Sequence, residues 1–268
     1  MPDPIALSPT DIRIDRSNAD LAVVVIDRAK RRNAMTRAMW QELHRVFDEL
    51  GQSPDVRAII LTGAGGAFCA GADIAEFPAV RATVEDGRAY EAAVDQLHLA
   101  IAASPKPTVA AISGPCFGGG VALALSCDFR VADATAYFAI PAARLSNVYG
   151  VVETRVLFDA VGLATAKEVL FTGRRYDASE AYRVGLATHL ASSGTALDAA
   201  VDFAKAMRTS APLTITGAKV VLDAISRNMV DQRHAAIHEV MDAAISSEDY
   251  KEGVAAFAAK RDPVFKGR

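Results

Sequence analysis

The sequence predicts an α/β core followed by a helical C-terminal segment. Short aliphatic and β-branched runs alternate with helical apolar periodicity through the first half. Glycine-rich turns follow two of those runs, and from Val152 onward helical patterns dominate. No internal repeat of solenoid length interrupts the chain of 268 residues, and no Gly/Ser or charged linker divides it. The expected division is a core over residues 1–190 and a helical segment over residues 191–268.

Ile12-Arg13-Ile14 and Leu21 to Ile26 read as two strands joined by a turn at Ser17-Asn18-Ala19-Asp20. A polar loop covers Asp27 to Asn33. Met35, Met39, Leu43, Val46, Phe47 and Leu50 then recur at helical spacing, with Gly51 placed to cap the helix. Val56 to Leu61 is a buried strand entering a glycine-rich turn. Tyr90, Val94, Leu97 and Ile101 mark a second helix. Pro107 to Ile112 is a third buried strand, followed by Gly118-Gly119-Gly120, a helix over Val121 to Ser126, and a strand at Phe129-Arg130-Val131. Helices are expected around Leu157, Lys167 to Phe171, Ser179 to Val184 and Leu197 to Arg208, and helical periodicity continues beyond Pro212.

Composition excludes several function classes. With 51% hydrophobic residues the chain is too apolar for disorder, and at this length it can bury roughly three quarters of its unfolded surface. A net charge of −3 gives no basic excess for nucleic acid. Cys69, Cys116 and Cys127 form no CxxC pair and read as small core residues of a reducing compartment. Met1 to Thr10 lacks the basic and apolar regions of a secretory signal, so a cytoplasmic location is expected. The uncharged stretch from Pro107 to Cys127 is long enough to span a bilayer, but its prolines and glycines read as strand, turn and buried helix. His234 and His238 share a helix face at i, i+4, yet Ala235 and Glu239 do not supply a zincin pattern, and no metal is expected. His44 and His98 are expected to be half-exposed on their helices.

The two glycine-rich turns carry the chemistry. The first runs Thr62-Gly63-Ala64-Gly65-Gly66-Ala67-Phe68-Cys69-Ala70-Gly71-Ala72-Asp73-Ile74, and the second Ser113-Gly114-Pro115-Cys116-Phe117-Gly118-Gly119-Gly120-Val121-Ala122. Phe68 stands where a dinucleotide fingerprint needs its third glycine, and no Gly-x-Ser-x-Gly elbow exists. Either turn alone reads as close backbone packing. Together, Gly119 at a helix start and Ala72 in the other turn offer two backbone N–H groups that could meet at one oxygen.

The segment Ala67 to Ile74 with Gly118-Gly119-Gly120 resembles the enoyl-CoA hydratase/isomerase (crotonase) superfamily. The resemblance extends to Arg28 to Met35, with Ala29 where a proline is usual, to Leu170-Phe171-Thr172-Gly173, Asp177-Ala178 and Gly185-Leu186-Ala187, and to Ser247, Asp249, Glu252-Gly253, Ala256-Phe257 and Lys260-Arg261. It implies a spiral of repeated ββα units with a C-terminal helical oligomerisation segment forming trimers or dimers of trimers. It implies an acyl-CoA substrate and no cofactor beyond that coenzyme A moiety. The amides of Ala72 and Gly119 would hold the thioester oxygen and support an enolate. Ala70, Asp73, Ile74 and Ala75 would lie along the adenine and pantetheine. Lys30, Arg31 and Lys260 would meet phosphates, or else form solvated basic loops, and Phe257 and Lys260 would reach a neighbouring subunit's ligand.

The chain departs from the family's hydratases at two positions. Those enzymes carry glutamates where this chain has Ala122 and Ala142, and alanine neither activates water nor delivers a proton. Hydration is therefore doubtful, while isomerase, decarboxylase, hydrolase or weakly active binding roles remain open. Glu153 is the only carboxylate in Pro141 to Arg155, the stretch matching the acyl pocket, and is the candidate acid/base. Its alternative role is a favourable interaction with a helix start or with Arg155. Tyr149 and Asn147 could hydrogen-bond a substrate, Glu76 could approach from the first loop, and Asp128 reads as structural.

Overall fold

Residues 11–18, 20–192 and 195–268 are described by a computed structural model of the chain. The expectations for Met1 to Thr10 and for Ala19 in the first turn lie outside them. The aliphatic runs form β1 (Ile12–Asp15), β2 (Leu21–Ile26), β3 (Ala58–Gly63), β4 (Thr108–Ile112), β5 (Pro115–Phe117), β6 (Phe129–Ala132), β7 (Tyr137–Ala139), β8 (Tyr176–Asp177) and β9 (His189–Leu190). Six of them make one sheet in the order β1-β2-β3-β4-β6-β9, with β1 antiparallel to β2 and every other pair parallel. A smaller sheet, β5-β7-β8, stands beside it. Parallel strands covered on both faces need continuous apolar sequence, and all six residues of β2 are buried.

The period-2 alternation of side chains sorts these strands onto two faces. Ala22, Val24, Ile26, Ile59, Leu61, Ala110 and Ile112 join the main core, whereas Leu21, Val23, Val25, Ile60, Val109 and Ala111 pack on the other side. The main core is covered by α1 (Arg37–Gln52), α2 (Phe77–Val80), α3 (Val84–Ala103), α4 (Gly119–Ser126), α5 (Val151–Thr172) and α6 (Ala178–Val184). The opposite face is covered by α7 (Ala196–Ala206), whose Ala196, Ala200 and Ala204 are buried against it. Thus the first helix of the expected segment 191–268 belongs to the sheet, because its i, i+4, i+8 alanine stripe fits closely over the strands. The helices that project from the core are α8 (Pro212–Ser226), α9 (His234–Ser246) and α10 (Glu248–Ala259). No helix among the described residues is long and apolar enough to cross a membrane.

The structure corrects several expectations. Helix α1 starts after Thr36, whose side chain caps it, and Met35 instead forms an isolated bridge with Ala72. Gly51 does not cap α1; it lies within the last turn against Pro105, and the cap is Ser53. The helices expected around Leu157 and Phe171 form one run, interrupted at Gly162, whose φ of 73° breaks the helical path. His98 is not half-exposed but 1% exposed, since α3 buries Tyr90, Val94, Leu97, His98 and Ile101 on one face. The three cysteines are buried, as their small apolar character suggests.

Two polar clamps tie distant segments together, one of them at the first loop. Asn33, fully buried with φ 58°, donates through Nδ2 to the carbonyls of Ala64 at 2.9 Å, Ala67 at 2.7 Å and Phe68 at 3.3 Å. Its Oδ1 accepts from the Arg28 amide at 3.0 Å. Asp128 accepts from the Thr108 amide and hydroxyl and from Lys219 of α8 at 2.6 Å, the structural role its position implied. Asn33→Ala leaves several buried carbonyls short of a donor and forces a positive φ on alanine. It is expected to lower stability by about 2–3 kcal/mol, read from urea unfolding, and an unchanged midpoint would contradict this account.

Candidate active site

The site is built where the two glycine-rich turns touch. Strand-like bonds join them: the Cys69 amide donates to Pro115 O at 3.1 Å and the Phe117 amide to Cys69 O at 2.8 Å. The Met35 amide donates to Gly71 O and the Asp73 amide to Met35 O, both at 2.8 Å, which extends the first turn past Ala72. A methyl group on Gly71 would stand 2.7 Å from Phe117 O and 3.1 Å from the Gly119 nitrogen, and one on Gly120 would stand 2.4 Å from Cys69 O. Only glycine allows this approach at positions 71 and 120, and Gly118 adds a φ of 54° where α4 begins.

Beside this contact opens a cavity of about 600 Å³, lined by Ala70, Gly71, Ala72, Ile74, Gly119, Ala142 and Glu153 among others. Among the described residues, no backbone acceptor takes the N–H of Ala72, and the N–H of Gly119 is a first-turn donor of α4 without a partner. Glu153 sits in the first turn of α5, with its side chain 15% exposed. Its Oε1 lies 3.8 Å from the point where a methyl on Gly119 would stand. Burial, reinforced by the nearby Asp95 carboxylate, pushes the Glu153 carboxyl up to about 7. Burial also raises Asp95, with Glu91 adding to the shift. Tyr149 lines the same cavity, and its buried hydroxyl has no partner. Its ionisation is pushed far up by burial and by Glu153, so it is a neutral phenol.

Other sequence candidates lie elsewhere. The Asp73 carboxylate accepts from Arg28 Nη1 at 2.7 Å, which holds it below the usual carboxylate range, and it also takes the Ala75 amide. Asp73 and Ala75 flank the cavity lining rather than belonging to it. Glu76 is taken up by α1, accepting the Arg37 amide at 2.6 Å. Lys30 and Arg31 are exposed on a 3-10 turn. Phe257, 88% exposed, lies on α10 in a separate groove, and Lys260 follows at the end of that helix. Ala122 is buried outside the lining, whereas Ala142 is part of it. His234 and His238 stand with Nε2 atoms 3.1 Å apart on the exposed start of α9.

Three site residues were missed or undervalued from sequence. Glu91, Asp95 and His98 follow one another at i, i+4, i+7 on α3, beside the apolar stripe of Tyr90, Val94, Leu97 and Ile101. That polar line along a core-facing edge is the signal that could have found them. Trp40, whose Nε1 donates to the Tyr90 hydroxyl at 2.9 Å, forms part of the cavity wall.

This arrangement of sheet, paired turns and cavity matches a known family. The enoyl-CoA hydratase/isomerase model fits residues 16–268. The chain belongs to the enoyl-CoA hydratase/isomerase family. It is 34% identical to the short-chain-enoyl-CoA hydratase of Clostridium acetobutylicum, covering 90% of this chain and 92% of that one. It is 33% identical to the peroxisomal Delta(3,5)-Delta(2,4)-dienoyl-CoA isomerase of Arabidopsis thaliana, covering 95% and 96%. A solved enoyl-CoA hydratase/isomerase family protein from Hyphomonas neptunium superposes with a TM-score of 0.90 at 37% identity, covering 96% and 98%. A named hydratase and a named isomerase are thus equally similar, so the choice of reaction rests on side chains.

The raised Glu153 carboxyl links stability to pH. Its ordinary value is 4.5 and its folded value about 7, so between them the folded chain binds the proton more tightly. The stability contributed by the neutral acid is fully present below about pH 4.5 and is lost as pH rises through about 7. Urea unfolding at several pH values should show Glu153→Gln gaining stability relative to the parent as pH rises. Parallel pH profiles for the two chains would contradict the shifted acid.

Proposed function

We propose that this family member binds an acyl-CoA thioester in the cavity and interconverts it with its enolate. The amides of Ala72 and Gly119 hold the thioester oxygen, and Glu153 carries the proton between substrate carbons as a one-acid isomerase. The observation that carries this reading is the meeting, in one cavity, of two unpaired N–H groups and one buried carboxyl poised near neutrality. Backbone donors aimed at a developing oxyanion are each worth about 3–4 kcal/mol of barrier in comparable sites. A base near pH 7 has both the free carboxylate to take a proton and the acid strength to return it. Water addition with the family's usual glutamate pair is not supported, since Ala122 and Ala142 occupy those positions.

A second reading follows from Asp95, whose carboxyl lies in the same cavity and acts electrostatically on Glu153. The two acids would then form a relocated pair able to activate water and deliver a proton. In either reading, exposed Lys30 and Arg31 supply positive charge for the coenzyme phosphates, and Phe257 and Lys260 reach the ligand of a neighbouring copy in a trimer or a dimer of trimers.

Deuterium wash-in from D2O at the α-carbon of a 3-enoyl-CoA or the γ-carbon of crotonyl-CoA, with their interconversion, followed by NMR, tests the proposal. The parent protein is expected to exchange, and Glu153→Gln to slow exchange by about 10²- to 10⁴-fold with coenzyme A binding retained. Absence in the parent of both exchange and 3-enoyl to 2-enoyl interconversion would sink the enolate reading. Hydration of crotonyl-CoA that disappears in Asp95→Asn while exchange persists would select the two-acid reading instead.

A further inference from the structure

We propose that His98 is the positioning residue for the pocket's acid: a neutral imidazole, protonated on Nδ1, whose Nε2 accepts the carboxyl proton of Glu153. The inference rests on the reading of Glu153 as the acid/base and adds the group that decides where its proton goes.

The argument starts from Ser126. Its hydroxyl donates back to the Ala122 carbonyl at 2.9 Å, one turn earlier in α4. With that proton committed, Ser126 Oγ faces His98 Nδ1 at 3.0 Å as an acceptor, so Nδ1 carries the imidazole's hydrogen. Nε2 is then a bare lone pair. It is buried, without any hydrogen-bond partner, and lies 4.0 Å from Glu153 Oε1, so a side-chain rotation of Glu153 that closes the gap by about 1 Å makes the bond. The His98 side chain is 0% exposed, so no bulk water competes for that lone pair. Burial pushes His98 down to about 4, which keeps the ring neutral at ordinary pH.

Most groups facing Glu153 favour the neutral acid, although the Gly150 amide donates to the carboxylate and acts the other way. From α3, Asp95 and Glu91 present carboxylates that favour the neutral carboxyl. Tyr149 presents a neutral phenol, and Tyr90 donates no charge because its ionisation is pushed far up. Arg81 opposes them, but its guanidinium is bound to Glu91 at 2.8 Å and lies over the Phe77 and Tyr90 rings. A neutral acid on Glu153 needs an acceptor, and of the two unpartnered buried atoms near it, His98 Nε2 and the Tyr149 hydroxyl, the bare imidazole lone pair is the stronger base.

The same oxygen, Oε1, is the one near Gly119, 3.8 Å from where a methyl on that residue would stand. When it takes an α-proton, the carbon–hydrogen bond breaks, its electron pair moves onto the thioester oxygen, and the proton bonds to Oε1. The new O–H then donates to Nε2, and the proton stays on Glu153. His98 thereby holds the acid turned away from the enolate until the proton is returned, to the same carbon or another.

NMR of the free protein tests this without any substrate, so its outcome is separate from that of the exchange experiment. The chain is labelled with ¹³C at glutamate Cδ and ¹⁵N in the histidine rings, and Glu153→Gln identifies the Glu153 signal. The expected result is a neutral His98 with hydrogen on Nδ1 throughout, and an Nε2 shift that moves with the Glu153 midpoint near 7. In Glu153→Gln that movement is expected to vanish. Ser126→Ala removes the acceptor that fixes the tautomer. Hydrogen is expected to appear on Nε2, where it donates to the carboxylate and lowers the Glu153 midpoint by about one pH unit. Hydrogen on Nε2 in the parent, an Nε2 shift that ignores Glu153 titration, or an unmoved midpoint in Ser126→Ala would overturn the proposal.

Discussion

The backbone-to-backbone contact between Gly71 and the Phe117–Gly119 turn organises everything else in the site. Each backbone hydrogen bond that stitches it contributes only about 1 kcal/mol on its own. Its importance lies in position: it brings the start of α4 against the loop that holds Ala72. Sterics permit the contact only with glycine at 71 and 120, and the supporting loop is held from below by Asn33 and by Arg28 on Asp73. Around this contact the chain carries alanine at 142 and carboxyl groups at 95 and 153 in the cavity wall, with Ala122 buried behind it.

Electrostatics then decides what the cavity does. Glu91, Asp95 and Glu153 lie near a single guanidinium that is already bound, so this part of the cavity favours keeping one carboxyl protonated. A cavity lined largely by apolar groups makes this effect strong, because little solvent screens like charges. His98 and Tyr149 contribute unpaired buried polar atoms to the same region. Orphaned buried polar atoms are costly to stability, and here they cluster around the one carboxyl with a value near neutrality.

The long elements were legible from sequence because each carries several periods of its pattern: β2, β3, β4, α1 and α3 lie within a few residues of expectation. Strands β5, β7, β8 and β9 have two or three residues each and complete no period, so only tertiary pairing defines them. The place of α7 was obscured because a stripe of alanines signals little hydrophobicity, yet fits closely on a sheet. In the site, Ala72, Gly119 and Glu153 were found from motifs and from the scarcity of carboxylates near Pro141. His98 was misjudged because a histidine beside an apolar stripe reads as half-exposed, and its neighbours Ser126 and Glu153 come from distant segments.

The order of strands in the large sheet has a consequence for how the site exists at all. Trp40, Ala72, Asp95, Gly119 and Glu153 come from separate segments between strands of both sheets, and no hairpin or helix pair contains two of the unpaired donors together with the acid. The cavity therefore has no local folding unit of its own. It forms when the sheet forms and dissolves when the sheet unfolds. Any ligand that occupies it is thermodynamically linked to the global folding equilibrium of the core, and its binding free energy is distributed over the whole sheet rather than over one loop.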